Sequence, residues 1–253
     1  MLHLKNPGVK IQQHNMRMSH HVIGTAASVH PKTLRLLARE QYVQRTPEWF
    51  EVRRELITAS DAASALDIKP YPSYRGSARK DLLRKKVNNE PVNNMFVAHG
   101  QAYEDEARDW AAAAMGETVA DVGLVLHENL PWLAASPDGV TLSGKLMEIK
   151  CPMKRAIEPG HIPSHYYPQV QVQMECCDMD STIFVQYKPA CLSKDGKAFI
   201  DIVVVERDRE WFKQNRDALH AFWAEYMAAR ASHVPSKEPA AVNACMVQDD
   251  MYV

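Results

Sequence analysis

Ser136 to Pro152 reads SPDGVTLSGKLMEIKCP, and it restricts the fold more than any other stretch of the chain. Leu146 to Lys150 has the apolar density of a strand, yet Glu148 and Lys150 flank Ile149 within it. Alternate side chains of a strand share a face, so Glu148 and Lys150 project together with Leu146, while Met147 and Ile149 face the other way. Burying a charge beside a sheet is costly unless it is paired or coordinated. An acid and a base on one strand are accommodated most simply by a wet surface. A second carboxylate opens another reading. Asp138 follows Pro137, and a hairpin through GVTLSG, turning at Ser143 and Gly144, folds Asp138 back beside Glu148.

Two carboxylates with the Ile149 carbonyl form an all-oxygen set suited to Mg2+ or Mn2+ rather than Zn2+. A lysine alongside would orient a water, help it lose its proton and steady charge growing on a phosphoryl oxygen. Phosphodiester hydrolysis needs this combination.

Elsewhere helix and strand signals alternate. HPKTLRLLAREQY and TPEWFEVRREL read as short helices, the second capped by Thr46 with Pro47 in its first turn. Ser60 is the expected cap of a short helix in TASDAASAL, before the loop KPYPSYRGS. Ser77 opens a basic helix whose Arg79 to Lys86 either meet a polyanion or form a solvated face. NNMFVAHGQAYEDEARDWAAAAM is a long helix ending at Gly116. Its consecutive Glu104, Asp105 and Glu106 cannot all point to solvent, so Glu104 or Asp105 is a candidate site residue, with solvated helix charge as the alternative. Short strands follow, broken by Asn129, Pro131 and Pro137. SHYYPQVQVQMECCDM is predicted helical with Ser164 as cap, although the alternation in VQVQM also permits a strand. STIFVQYKPA and KAFIDIVVVER are strands, and Asp208 caps a long helix beginning at DREWF. The pattern predicts an α/β fold: an extension over 1–45 with a helical flank, one mixed domain over 46–233 and a weakly structured tail over 234–253.

With 30 Lys and Arg against 31 Asp and Glu, the net charge of -1 argues against sequence-blind coating of nucleic acid but allows a local basic groove. The 5 cysteines include no paired CxxC and read as reduced thiols in a cytosol-like compartment. The first residues have no apolar leader core, and no stretch approaches the roughly 18 uninterrupted apolar residues of a membrane span. His20, His21, His161 and His165 have no zinc-like spacing with Cys176 and Cys177. Cys151 reads as a small buried residue rather than a nucleophile. Trp49 is expected to pack the arginine-bearing helix, with base stacking as the lesser alternative.

Taken in order, TPEWFEVRRELITAS, HGQAYEDEAR, ASPDG, LMEIKCP and YYPQVQVQM resemble the motifs of λ-exonuclease-like (YqaJ-type) alkaline exonucleases of the PD-(D/E)xK nuclease superfamily. FIDIVVVERDREWF is similar to that family's last core strand and following helix, and the likeness runs over about residues 45–225. The resemblance implies a restriction-endonuclease-like core with a central mixed sheet between helices. It implies metal ligation by Asp138, Glu148, Glu104 and the Ile149 carbonyl, a catalytic Lys150, and Gln169 near the active site. Arg53, with Ser60, resembles the family's contacts to a 5′-phosphate, and Tyr166 occupies a neighbouring position. It further implies two Mg2+ ions per site, Mn2+ substituting, and 5′-to-3′ degradation of linear double-stranded DNA to 5′-mononucleotides. The remaining 3′ overhang would serve a single-strand annealing recombinase. A homotrimeric ring would enclose the DNA ends, in the cytoplasm of a bacterial host carrying a phage or prophage. The four spaced cysteines of cluster-bearing relatives are missing, and residues 1–45 have no counterpart. An endonuclease of the same chemistry, and a non-catalytic protein that binds DNA ends, are the alternatives.

Overall fold

The computed structural model describes residues 29–90, 95–193 and 195–233. In chain order the elements are α1 (Pro31–Leu37), α2 (Pro47–Glu55), β1 (Ile57–Thr58), α3 (Ala62–Ala65), α4 (Ala78–Val87), α5 (Met95–Met115), β2 (Val119–Ala120), β3 (Val125–Leu126), β4 (Leu133–Ala135), β5 (Gly139–Thr141), β6 (Leu146–Lys150), α6 (Tyr167–Cys177), β7 (Ser181–Lys188), β8 (Phe199–Glu206) and α7 (Arg209–Ser232). The expected arm over residues 1–28 and the tail over 234–253 lie outside the described residues, as do Asn93 and Asn94 at the expected start of the long helix.

The main sheet has the order β2-β5-β6-β7-β8, and a smaller one the order β1-β4-β3. β6 and β7 run parallel, and the other main-sheet pairs are antiparallel. The expected mixed α/β sheet between helices is therefore present. β6 is buried along its whole length, and its alternation assigns each side chain a layer. Leu146 joins Phe184 and the α6 and α7 side chains in one core, whereas Met147 and Ile149 join Ala107, Ala111 and Tyr187 in a second. The two alanines let α5 sit close against the sheet. Each large apolar side chain buried in these layers contributes about 1.5–3 kcal/mol.

Local signals set most element ends. Thr46, Ser77 and Asp208 accept from the N–H groups of Trp49, Lys80 and Trp211, as their sequence positions predict. Two caps differ from expectation. Pro168 lies in the first turn of α6, and the cap residue is Tyr166 rather than Ser164; proline is preorganised for that turn and lacks the N–H a later position would need. Ser60 lies inside a 3-10 turn, Ala59–Asp61, preceded by Thr58. There Asp61 accepts from both the N–H and the hydroxyl of Thr58, while the Ser60 hydroxyl lies 3.0 Å from that of Thr58 and accepts from Arg53.

The turn at Gly144 has φ +97°, a conformation that favours glycine. A Cβ on Gly139 would meet Val119 at 2.5 Å, so the residue after Asp138 must be small for β2 to pair with β5. Residues 30–45 run along this core: Leu36 is buried in it, and Tyr42 bridges to Leu124. No helix among the described residues is long and apolar enough to cross a membrane.

Candidate active site

The β5–β6 hairpin brings Asp138 beside Glu148. The Asp138 N–H donates to the Met147 carbonyl at 3.0 Å, and the Asp138 Oδ2 accepts from the Ile149 N–H at 2.6 Å. The carboxylate thus completes the strand pairing where a backbone carbonyl would otherwise serve. Glu148 accepts from Lys150 Nζ at 2.8 Å, from Gln169 Nε2 at 2.5 Å and from the Gln173 amide. Glu148 and Lys150 are 2% and 5% exposed. Charges this deep are tolerated because they face each other and because two amides of α6 satisfy the carboxylate. The Lys150 ammonium lies 5.0 Å from the centre of the Tyr166 ring. Glu104, one of the three consecutive acids of α5, reaches the same cleft, while Asp105 is exposed. Glu104 is held by Arg45 at 2.6 Å and by Arg108 at 3.6 Å.

Burial, together with the charges of Glu148 and Glu104, pushes the Asp138 carboxyl well above its ordinary range; Lys150 and the Ile149 N–H oppose this only in part. Asp138 is thus the carboxyl of the cluster that resists ionisation, because Glu148 and Glu104 already hold its charge off. Among the described residues no three His, Cys, Asp or Glu side chains form a ready-made metal cage, since each of these carboxylates is turned toward a protein donor. The donor set nevertheless fits a hard divalent cation, being oxygen-only and mutually repulsive until one is supplied. Cys151 is pushed up to about 12 by burial and the neighbouring carboxylates, which keeps it a thiol. His165 is pushed down to about 4 by burial and the Arg155 and Lys150 charges, so its ring is neutral.

The opposite side of the cleft is basic. Arg53 Nη2 donates to Ser60 Oγ at 3.2 Å, and its guanidinium lies 4.2 Å from the Trp49 ring centre. Lys86 of α4 pairs with Asp61 at 3.2 Å. Burial would raise the Asp61 carboxyl, but Lys86, Arg53 and the Thr58 bonds bring it below its ordinary range, so it remains an anion. Arg54 and Lys85 line the cleft as well, together with the acids Glu51 and Glu90. Trp49 connects the two ends: its indole N–H donates to Ser136 Oγ at 3.3 Å, two residues before Asp138. The ring packs, as expected, rather than facing out.

A single cleft of about 780 Å³ is lined by the acidic and basic groups together. All the expected site residues except Tyr166 line it. Tyr166, expected beside a substrate phosphate, is 4% exposed and lies behind Lys150, because α6 packs that ring against Phe184. Three contributors were not anticipated. Gln173 stands four residues after Gln169 and so shares its helical face, a spacing that would have identified it. Gln44 donates to the Val122 and Pro137 carbonyls at 2.8 and 3.0 Å, and Arg45 grips Glu104. Both sit in a stretch that no motif marks. Lys86, one of the basic α4 residues left open between two readings, faces the cleft.

The YqaJ-like viral recombinase domain model matches residues 48–180. An uncharacterised protein of Acanthamoeba polyphaga mimivirus is 34% identical over 166 residues, covering 58% of this chain and 30% of that protein. A protein of African swine fever virus is 27% identical over 168 residues, covering 53% of this chain and 46% of that protein. The chain thus spans less than half the length of these relatives. Among solved structures, the alkaline exonuclease LHK-Exo of Laribacter hongkongensis superposes with a TM-score of 0.60 at 28% identity, over 74% of this chain and 95% of that one. A phage-related exonuclease of Haemophilus somnus shares the fold, with a TM-score of 0.54 at 14% identity over 70% of this chain and 96% of that one.

Proposed function

The chain belongs to the YqaJ-like viral recombinase domain family, and on that premise we propose that it is a Mg2+-dependent exonuclease. It degrades one strand of linear duplex DNA from the 5′ end, releasing 5′-mononucleotides and leaving a 3′ overhang. The observation that carries this reading is a single cleft with a buried carboxylate and lysine cluster at one end and an arginine, serine and lysine group at the other. The similar LHK-Exo has been determined with dAMP bound, a mononucleotide of the kind such a reaction releases.

In this reading Asp138, Glu148, Glu104 and the Ile149 carbonyl hold the divalent cations, two per site, with Mn2+ able to replace Mg2+. When bound, a cation polarises a phosphoryl oxygen and neutralises its growing charge. Lys150, paired with Glu148, orients the attacking water and favours its ionisation; the proton passes to solvent, the released O3′ takes one from solvent, and Gln169 and Gln173 keep Glu148 aligned. The water oxygen bonds to phosphorus, and the P–O3′ bond breaks. The departing nucleotide keeps its own 5′-phosphate, and the shortened strand acquires a new one. Arg53 and Ser60 receive that group, so each cut regenerates the end that the basic wall recognises. Tyr166 seats the lysine. The family likeness extends the proposal to a homotrimeric ring around duplex DNA and to delivery of the overhang to an annealing recombinase.

Digestion of a linear duplex labelled separately at each 5′ and 3′ end, with and without Mg2+, tests this directly. Loss of 5′ label first, only with Mg2+, and sparing of closed circles are expected; rapid cutting of closed circles would mean an endonuclease instead. Arg53→Ala (R53A) removes a charged hydrogen bond of about 1.5–3 kcal/mol. It should slow digestion of 5′-phosphorylated linear DNA about 10- to 100-fold and leave hydroxyl-ended DNA much less affected.

A further inference from the structure

We propose that Phe50 stacks on the 5′-terminal base of the strand whose phosphate is held by Arg53, and is thus the base-contacting residue of the cleft. This rests on the nuclease reading above and goes beyond its phosphate and metal contacts. α2 contributes no fully buried residue. Trp49 and Val52 pack partly against Leu56, Leu124 and Ala134. Phe50 does not join them: it is 55% exposed and lines the cleft.

Residues three and four apart share a helical face, so Phe50, Arg53 and Arg54 form one stripe, and all three line the cleft. An aromatic ring one turn from two guanidinium groups matches the chemistry of a nucleotide, an apolar base face joined to a nearby phosphate. The ring is also held in place. Its centroid is 4.8 Å from that of Trp49, edge-on at 86°. Trp49 is in turn fixed by Ser136 and Arg53, and Thr46 and Pro47 secure the helix start. A preordered ring loses little conformational entropy on stacking. Since every base has a π-face, the contact is indifferent to sequence.

The test uses the full chain with Ca2+ in place of Mg2+, so that bound DNA stays uncut. Affinities of the wild type and of Phe50→Ala (F50A) are measured for 5′-phosphorylated duplexes whose terminal nucleotide carries a base or is abasic. Base–aromatic contacts predict a loss of about fivefold to a hundredfold on removing either partner. The two losses should not multiply: the abasic end should cost the wild type affinity and cost F50A almost none. Phe50→Trp should restore binding. Equal affinities for all four combinations, losses that multiply, or a changed molecular mass of F50A in light scattering would overturn the assignment, the last by making Phe50 a contact between copies. If the wild type instead fails to cut any linear duplex in Mg2+ or Mn2+, the underlying nuclease reading fails, a result separable from the loss of this contact.

Discussion

The Lys150→Ala protein (K150A) is expected to bind duplex ends as the wild type does while hydrolysing them about 10²- to 10⁴-fold more slowly, the range for removing a positioned proton-transfer group. The side chain lies 2.8 Å from a Glu148 carboxylate that is itself almost wholly buried. Its removal also has a structural cost, because breaking a buried ion pair by deleting one partner destabilises by about 3–5 kcal/mol in typical cases. The Gln169 and Gln173 amides remain on Glu148 and should keep the loss toward the lower end. Lys150→Gln (K150Q), which keeps a donor without the charge, separates the effects: it should unfold later than K150A in denaturant and hydrolyse no faster. Cleavage by K150A at a wild-type rate would remove the lysine from the chemistry.

The second large effect is on Asp138→Asn (D138N). Several kcal/mol of transition-state stabilisation depend on the cation, so loss of this ligand should lower cleavage by about 10³-fold or more. Stability should move the other way. The folded protein raises the Asp138 pKa, chiefly through burial and then through Glu148 and Glu104, so it holds that proton more tightly than the unfolded chain. Between the unfolded value of about 3.9 and the raised folded value, rising pH ionises the unfolded chain first. Stability of the cation-free protein therefore falls as pH climbs through that window. Asparagine can still accept from the Ile149 N–H but carries no charge, so D138N should melt higher than the wild type at neutral pH without divalent ions. Mg2+ should raise the wild-type Tm and leave that of D138N nearly unchanged. A wild-type melting curve indifferent to Mg2+ and Mn2+ at every pH would contradict the cation assignment.

Much of this site was readable before any coordinates. Asp138 and Glu148 are joined by a short hairpin, so turn residues and strand alternation suffice to pair them. Glu148 and Lys150 share a strand, and their common face follows from the pleat. The helical assignment over VQVQM was ambiguous because apolar and polar residues alternate there; the structure resolves it by packing Val170, Val172 and Met174 into the core while Gln169 and Gln173 point at Glu148. Arg45 was invisible in this sense. Nothing in its surroundings signals a grip on Glu104, 59 positions away. Ser60 lines the cleft as its motif implied but is not the helix cap expected of it, because Thr58 precedes the turn and binds Asp61 there.

The amino-acid order alone determined the local elements and the chemical kinds present: two close carboxylates, a lysine on their strand, and an arginine helix capped by Thr46. Those follow from interactions along a few residues of chain, where backbone geometry leaves few choices. Tertiary packing decided which distant groups complete the cleft. Gln173, Arg45 and Lys86 acquire their partners only because α6, the stretch before α2, and α4 are held against β6 and the Ser60 turn by apolar burial, a force without direction that carries no pairwise code in the sequence.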